Sequence, residues 1–274
     1  NKTIDGSQCT VGWFVDDNKI SHKSDDVLTK LADEIESKFE GKLVRSTGKK
    51  HTFLGIDFEF LPDKRVAITT PQHIREALED FGEILKGDVV NPVKSKLFTV
   101  IEEAEDLPED KKELFHSIVA KLLWIEKISR PDLETAVSFL FTRVQKPTEE
   151  DWGKLRRTLN FLKATERDRR IIGCTGEDLS LHTWVDASHV IHDNMRGHTG
   201  GCMSTGIGVI HGKASKQKMN TKSTTESEIV GVSEYIPYKI QMINIMKGQG
   251  YDLDKKVLYQ DNESAIRLIK NGRN

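Results

Sequence analysis

Cysteines, long apolar runs and a large net charge are scarce or absent in this 274-residue sequence. Its three cysteines, Cys9, Cys174 and Cys202, lie far apart and form no CxxC pair, which argues against a zinc ribbon or a disulfide framework. No apolar stretch approaches the roughly 18 residues of a membrane-spanning segment. The first residues lack the apolar core of a signal peptide. We therefore expect an intracellular protein that is not secreted and has no membrane partner.

Charge of one sign does not dominate, because 41 Lys and Arg stand against 43 Asp and Glu for a net charge of −2. Taken alone, this balance argues against a nucleic-acid binder. The distribution is uneven, however: residues 101–113 are acidic and residues 154–170 are basic. A nearly neutral chain can therefore still carry basic faces. Length and a 36% hydrophobic share fit a globular protein with room for two domains.

Residue periodicity in the first 180 positions predicts alternating strands and helices. A strand, a turn at Asp16-Asp17 and a second strand are predicted over 9–22, followed by a helix over 24–39 that Gly41 would stop. Next we expect strands at 51–60 and 65–69 and a helix that starts after Thr70 with Pro71. Residues 86–110 are the predicted linker, residues 111–165 three helices, and residues 171–179 a loop.

The last hundred residues predict a second mixed region. The expected order is strand 181–187, a glycine-rich turn at 196–201, strands 202–204 and 207–211, helix 224–247, strand 256–260 and helix 262–271. Three antiparallel strands, a helix, a parallel strand and a further helix form an α/β layer arrangement. The fold class predicted for the whole chain is therefore α/β, of a mixed α+β kind.

Short motifs in a fixed order resemble copia-type retrotransposon reverse transcriptases. The FVDD motif at 14–17 resembles the polymerase motif, and the FLG motif at 53–55 resembles the strand that follows the palm. LLW at 122–124, RPD at 130–132 and Trp152 resemble the family's helical connection. DAS at 186–188, TGG at 199–201, SKQ at 215–217, STTESE at 223–228 and DNESAI at 261–266 resemble its ribonuclease H. The resemblance covers nearly the whole chain and rests on the shared order of these motifs.

The resemblance implies three parts. Residues 1–85 would be the C-terminal part of the palm, with a hairpin and further strands. Residues 86–178 would be a linker and a helical thumb or connection. Residues 179–274 would be a C-terminally truncated RNase H-like domain, built as a mixed sheet with flanking helices. It also implies partners: an RNA–DNA hybrid, template RNA, a primer and the remainder of the Pol polyprotein. The setting implied is a cytoplasmic virus-like particle or the nucleus.

Two aspartates follow predicted strands in the RNase H-like part. Asp186 ends the apolar run that begins at Leu181, and Asp261 follows Val257-Leu258-Tyr259. Strand ends are where α/β sheets place ligands. Hydrolysis of a phosphodiester by two metal ions needs several convergent carboxylates, and Mg²⁺ prefers such hard oxygen ligands. Taken singly, however, Asp186 could be a turn former and Asp261 a helix N-cap.

The third acid is a choice between Glu226 and Glu228, whose side chains point about 200° apart on a helix. Glu228 shares a helical face with Val232, Ile236 and Ile240, and we predict that this apolar face meets the sheet. We therefore assign Glu228, with Asp186 and Asp261, to two Mg²⁺ ions, and Glu226 to the helix start. The resemblance implies a fourth carboxylate beyond Asn274.

Asp16 and Asp17 carry the polymerase hypothesis. In the resemblance Asp16 is a catalytic metal ligand and Asp17 its catalytic neighbour, and a further palm aspartate lies upstream in the family. The pair would thus be half of a polymerase site. An ordinary β-turn is the alternative, because Asp-Asp-Asn is common in turns.

Basic residues in two segments are candidates for contacts with backbone phosphates. In each segment the alternative is a solvated surface. The candidates are Lys216, Lys218 and Lys222 before the long helix, and Arg156, Arg157, Lys163 and Arg167 on the predicted basic helix over 154–170.

Histidines are frequent between 182 and 211, yet no cysteine or acidic spacing supports a closed zinc site there. The sequence leaves three hypotheses: an active enzyme segment, an inert nucleic-acid-binding relic of the same element, or an unrelated α/β domain. Scattered positions for Asp186, Glu228 and Asp261 would favour the third.

Overall fold

The computed structural model describes residues 1–39, 42–176 and 179–272, so the predicted helix stop at Gly41 lies outside the described residues. Its strands are β1 Lys2–Ile4, β2 Ser7–Phe14, β3 Asp17–Ser21, β4 Lys50–Phe53, β5 Ile56–Phe60, β6 Val66–Thr69, β7 Arg170–Cys174, β8 Ser180–Ser188, β9 His198–Ser204, β10 Gly206–Ile207, β11 His211–Lys216 and β12 Lys255–Tyr259. Its α-helices are α1 Asp25–Lys38, α2 Pro71–Asp80, α3 Glu109–Ile128, α4 Glu134–Arg143, α5 Glu149–Ala164, α6 Thr224–Gly248 and α7 Glu263–Asn271. The mixed α/β class is as predicted.

The N-terminal hairpin forms as predicted, but its two-residue turn is Val15-Asp16 rather than Asp16-Asp17, because Asp17 already begins β3. Strands β1, β2 and β3 make an antiparallel sheet, in which Phe14 pairs with Asp17 across the turn. Helix α1 follows with Ser24 at its N-cap position and two acidic residues in its first turn. Their negative charges interact favourably with the positive end of the helix dipole.

The second sheet corrects two predictions. The single strand expected over 51–60 is a hairpin of β4 and β5, because Leu54 and Gly55 adopt positive φ angles of 54° and 72°, as a two-residue hairpin turn requires. The loop expected over 171–179 contains β7, whose Ile171 pairs with Ala67 of β6. That pairing joins residues more than 100 positions apart and has no local sequence signal.

Helices α2 to α5 share one apolar core. Phe115, Leu122 and Leu155 are fully buried in it. The predicted linker is irregular, as expected, but it packs onto the core through Leu97 and Leu107. None of the described helices is both long and apolar enough to cross a membrane.

The C-terminal sheet has the order β11-β9-β8-β12, with β12 parallel to β8 and α6 across one face. Gly200 and Gly201 lie within β9, so the predicted turn at 196–201 is wrong for these glycines. A Cβ on Gly201 would come within 2.3 Å of the Tyr235 ring, so close packing explains this glycine. The predicted strand 207–211 is also wrong, because β10 pairs with β7 and β11 begins at His211.

Helix α6 turns the predicted face to the sheet only in its first turns, where Glu228 is buried. Val232 is buried, but Ile236 and Ile240 are 38% and 52% exposed. Tyr235 and Lys239 are buried instead. Four residues rotate a helix by about 400°, so a row spaced by four drifts by about 40° at each step. Positions taken at mixed spacings of three and four stay over the sheet.

Candidate metal centre and nucleic-acid interface

Three carboxylates from three elements meet at one edge of the C-terminal sheet. Asp186 lies near the end of β8, Glu228 near the start of α6, and Asp261 just after β12. One oxygen from each lies within 4.8 Å of the others. Asp186 and Asp261 are exposed, whereas Glu228 is buried. The structure therefore brings together the acids that the sequence singled out for the RNase H-like site.

Strand register explains the meeting of the two aspartates. Trp184 of β8 pairs with Tyr259 of the parallel strand β12. Asp186 and Asp261 each follow two residues later, so they reach the same sheet edge side by side. On the other side, Asp186 pairs with Gly200, which has no side chain to fill the adjacent space.

The electrostatics of the cluster centre on Glu228. Burial raises the pKa of Glu228, and the charges of Asp186 and Asp261 raise it further, while hydrogen bonds from Gln260 and the Ala187 backbone lower it. A bound divalent cation would offset both the burial and the like-charge repulsion. An all-carboxylate donor set fits a hard ion such as Mg²⁺.

Gln260 belongs to this site although the sequence analysis did not single it out. Its amide nitrogen donates to Glu228 Oε2 at 2.9 Å. The only local signal was its position directly before Asp261, and such a position does not reveal where a side chain points.

The start of α6 is fixed by its own residues. Ser223 Oγ accepts a hydrogen bond from the Glu226 amide, and Glu226 Oε2 accepts one from the Lys222 amide at 2.6 Å. The predicted role of Glu226 at the helix start is confirmed. His189 Nδ1 lies 3.0 Å from both Thr221 Oγ1 and Ser227 Oγ, which ties the chain after β8 to this helix start.

An open cleft of about 540 Å³ runs from Asp186 and Asp261 along the sheet face opposite α6. Trp184 and Tyr259 stack at a centroid distance of 5.1 Å along it, and both are about 40% exposed. Glu134 of α4 also lines this cleft. The cleft therefore joins the carboxylate cluster to the helical region.

Asp16 and Asp17 are exposed at the tip of the β2–β3 hairpin. Over the described ranges, the only group of three potential metal ligands is Asp186, Glu228 and Asp261. The hairpin tip also exposes Trp13 and Phe14, each at 56%. The structure thus brings no third ligand to the Asp16–Asp17 pair in the part of the chain that it describes.

The basic candidates lie in varied settings. Arg156 is exposed and pairs with Glu83, and Lys163 is exposed and pairs with Glu166. Arg157 is half-buried, and its Nε is buried without a partner. Arg167 is exposed but lies beyond α5, which ends at Ala164, so the helix predicted over 154–170 is too long at its C-terminus.

The lysines before α6 form a second basic segment. Lys216 ends β11 and is half-buried, while Lys218 and Lys222 are exposed. All three lysines lie in the segment that leads from the end of β11 to the start of α6, the helix that carries Glu228.

Two histidines form a buried pair. His192 Nε2 lies 3.1 Å from His198 Nδ1, and Phe98 packs against both rings. Burial lowers the pKa of each to about 4. In the described residues the histidines form no three-ligand cluster, so the pair serves packing between the irregular segment and the C-terminal sheet.

The fold and the cluster define a mixed α/β protein with a three-carboxylate candidate metal centre at the edge of a mixed sheet. No family model matches the chain. Among curated proteins it is 25% identical to the Retrovirus-related Pol polyprotein from transposon TNT 1-94 of Nicotiana tabacum, over 94% of this chain and 20% of that protein. It is 26% identical to the Retrovirus-related Pol polyprotein from transposon RE2 of Arabidopsis thaliana, over 94% of this chain and 17% of that protein.

A third relative is the uncharacterized mitochondrial protein AtMg00810 of Arabidopsis thaliana, 26% identical over 78% of this chain and 86% of its own length. The chain is a distant homologue of copia- and Ty1-type retrotransposon Pol polyproteins. It spans about a fifth or less of the polyproteins it matches.

Proposed function

We propose that the chain is a segment of a retrotransposon reverse transcriptase whose RNase H-like part hydrolyses the RNA strand of RNA–DNA hybrids with two Mg²⁺ ions. The convergence of Asp186, Glu228 and Asp261 within 4.8 Å carries the proposal. Homology to Pol polyproteins supports it. Residues 1–85, 86–178 and 179–274 would correspond to palm, connection and RNase H-like parts. An intracellular setting, in a virus-like particle or the nucleus, follows from the proposal.

In this proposal each acid has a distinct part. Asp186 and Asp261 are exposed, so their oxygens can face both solvent and a substrate phosphate. Glu228 is buried and held by Gln260, so it closes the protein side of the site. Bound Mg²⁺ would activate water and stabilise the leaving oxygen. Carboxylates alone would repel the phosphate, and the cations therefore make substrate approach favourable.

The basic residues and the hairpin receive lesser roles. We propose that Lys216, Lys218, Lys222, Arg156, Arg157, Lys163 and Arg167 contact backbone phosphates of the hybrid, its template RNA and its primer. Asp16 and Asp17 would be one half of a polymerase site completed by the remainder of the Pol polyprotein. The isolated 274 residues should then show no primer extension, and extension abolished by Asp16→Asn would contradict this.

The test is cleavage of a labelled RNA–DNA hybrid by the purified chain in Mg²⁺. We expect slow cleavage that chelation stops and Asp186→Asn abolishes. Glu226→Gln is the matched control, because it removes a nearby acid of the same helix that supports only the helix start. Hybrid binding without Mg²⁺-dependent cleavage would favour the inert nucleic-acid-binding relic. If the chain neither binds nor cleaves the hybrid, the proposed function is refuted.

A further inference from the structure

One side chain, Gln260, touches all three segments that carry the carboxylates. Its Nε2 donates to Glu228 Oε2 at 2.9 Å and to the Val185 carbonyl at 3.3 Å. Its Oε1 accepts from the Asn262 amide at 2.8 Å. Val185 directly precedes Asp186, and Asn262 directly follows Asp261. Gln260 therefore contacts Glu228 itself and the backbone beside each aspartate.

The partners fix which way the amide points. Glu228 Oε2 and the Val185 carbonyl both need a donor, and the Asn262 amide needs an acceptor. Reversing the amide would set Oε1 against two other oxygens and Nε2 against an N–H. The observed orientation is thus the one that satisfies all three contacts.

We propose that Gln260 is a positioning residue for the candidate metal centre: it holds the Glu228 carboxylate against Asp186 and Asp261 and acts through Glu228. This inference rests on the proposed function, in which the three acids bind Mg²⁺. Groups that hydrogen-bond to metal ligands orient them and tune their affinity for the ion.

The chemistry of the position favours a neutral amide. An acid in place of Gln260 would add a fourth negative charge directly against Glu228. An apolar residue would leave Glu228 Oε2 buried without this donor, which is costly for a charged group. A glutamine supplies the donor without adding charge, and its oxygen also anchors the chain just after Asp261.

A purely structural role makes a different prediction from a positioning role. If Gln260 only ties the β12–α7 connection to β8, its loss should weaken metal binding equally whether or not Glu228 can act as a ligand. If it acts through Glu228, its loss should matter only while the Glu228 carboxylate is present. A double-mutant cycle on the two residues separates these cases.

The experiment measures Mg²⁺ affinity calorimetrically on the full chain, with Mg²⁺ alone as the probe. The four proteins are wild type, Gln260→Met, Glu228→Gln and the double variant. We expect Gln260→Met to weaken binding about tenfold in the wild-type background and by less than about twofold in the Glu228→Gln background. Thermal melting without Mg²⁺ checks that each of the four proteins is folded. If Gln260→Met fails to fold, Gln260→Asn replaces it, since its shorter amide cannot reach Glu228.

The outcomes separate the two proposals. Equal losses in both backgrounds, or no loss in the wild-type background, would overturn the positioning role. A wild-type chain that binds Mg²⁺, shows the expected coupling and cleaves no hybrid would support the positioning role and contradict the proposed nuclease. A wild-type chain that binds no Mg²⁺ would overturn both.

Discussion

The sequence predicts two acidic sites in this chain, yet the fold treats them differently. Asp16 and Asp17 are neighbours in sequence at an exposed hairpin tip. Asp186, Glu228 and Asp261 are far apart in sequence, but their oxygens lie within 4.8 Å of one another. Adjacency along the chain gives two charges at a hairpin tip, whereas a candidate metal centre needs long-range packing of separate elements.

The sharpest test of this comparison is Mg²⁺ binding. We expect Asp186→Asn to weaken Mg²⁺ binding by at least about tenfold, because the ion loses one of three charged ligands. The Asp16→Asn and Asp17→Asn double variant should leave calorimetric affinity and stoichiometry unchanged. Equal losses in the two variants would break the distinction between the sites.

The C-terminal sheet and the N-terminal hairpin differ in how well their packing tolerates an added methyl group. A Cβ on Gly201 would come within 2.3 Å of the Tyr235 ring, whereas one on Gly12 of β2 would meet Lys19 O at an ordinary 3.7 Å. We expect Gly201→Ala to lower the free energy of unfolding by about 1–3 kcal/mol. Gly12→Ala should change it by less than about 0.5 kcal/mol. Urea unfolding measures both, and similar losses would contradict this packing argument.

The buried histidine pair should give the C-terminal region a pH dependence of its own. In the folded state the pKa of His198 is lowered from 6.5 to about 4. The unfolded chain therefore binds the proton more readily, so stability is fully present above pH 6.5 and falls as the pH drops toward 4. His198→Gln should lose less stability across this window than wild type does. Parallel losses in melting experiments between pH 7 and pH 4.5 would contradict the assignment.

The smallest expected effect concerns salt. Replacing Arg156 and Lys163 with Gln should weaken hybrid binding and reduce the slope of log affinity against log salt by at most about two. Part of the charge of each is already offset by Glu83 and Glu166. The control is the same change at the exposed residues Lys30 and Lys38 of α1. If both variants leave the slope unchanged, the basic part of α5 is an ordinary solvated surface.

Local pattern was sufficient for much of the fold. Helices α1, α2, α3 and α6 begin within two residues of their predicted starts, because caps, prolines and apolar spacing act within a few residues. A parallel strand after the long helix was also predicted, and β12 is parallel to β8. Placing Asp186 and Asp261 at strand ends followed from the same local signals.

Tertiary structure decided the rest. Strand β7 forms because β6 offers it a partner, and Gly201 lies in a strand because Tyr235 needs the space that a side chain would occupy. Gln260 joins the carboxylates through hydrogen bonds to residues up to 75 positions away. The sequence by itself determined most of the helices and which acids could share a site. Only long-range packing determined which neighbours each side chain met, because those contacts depend on elements that are remote along the chain.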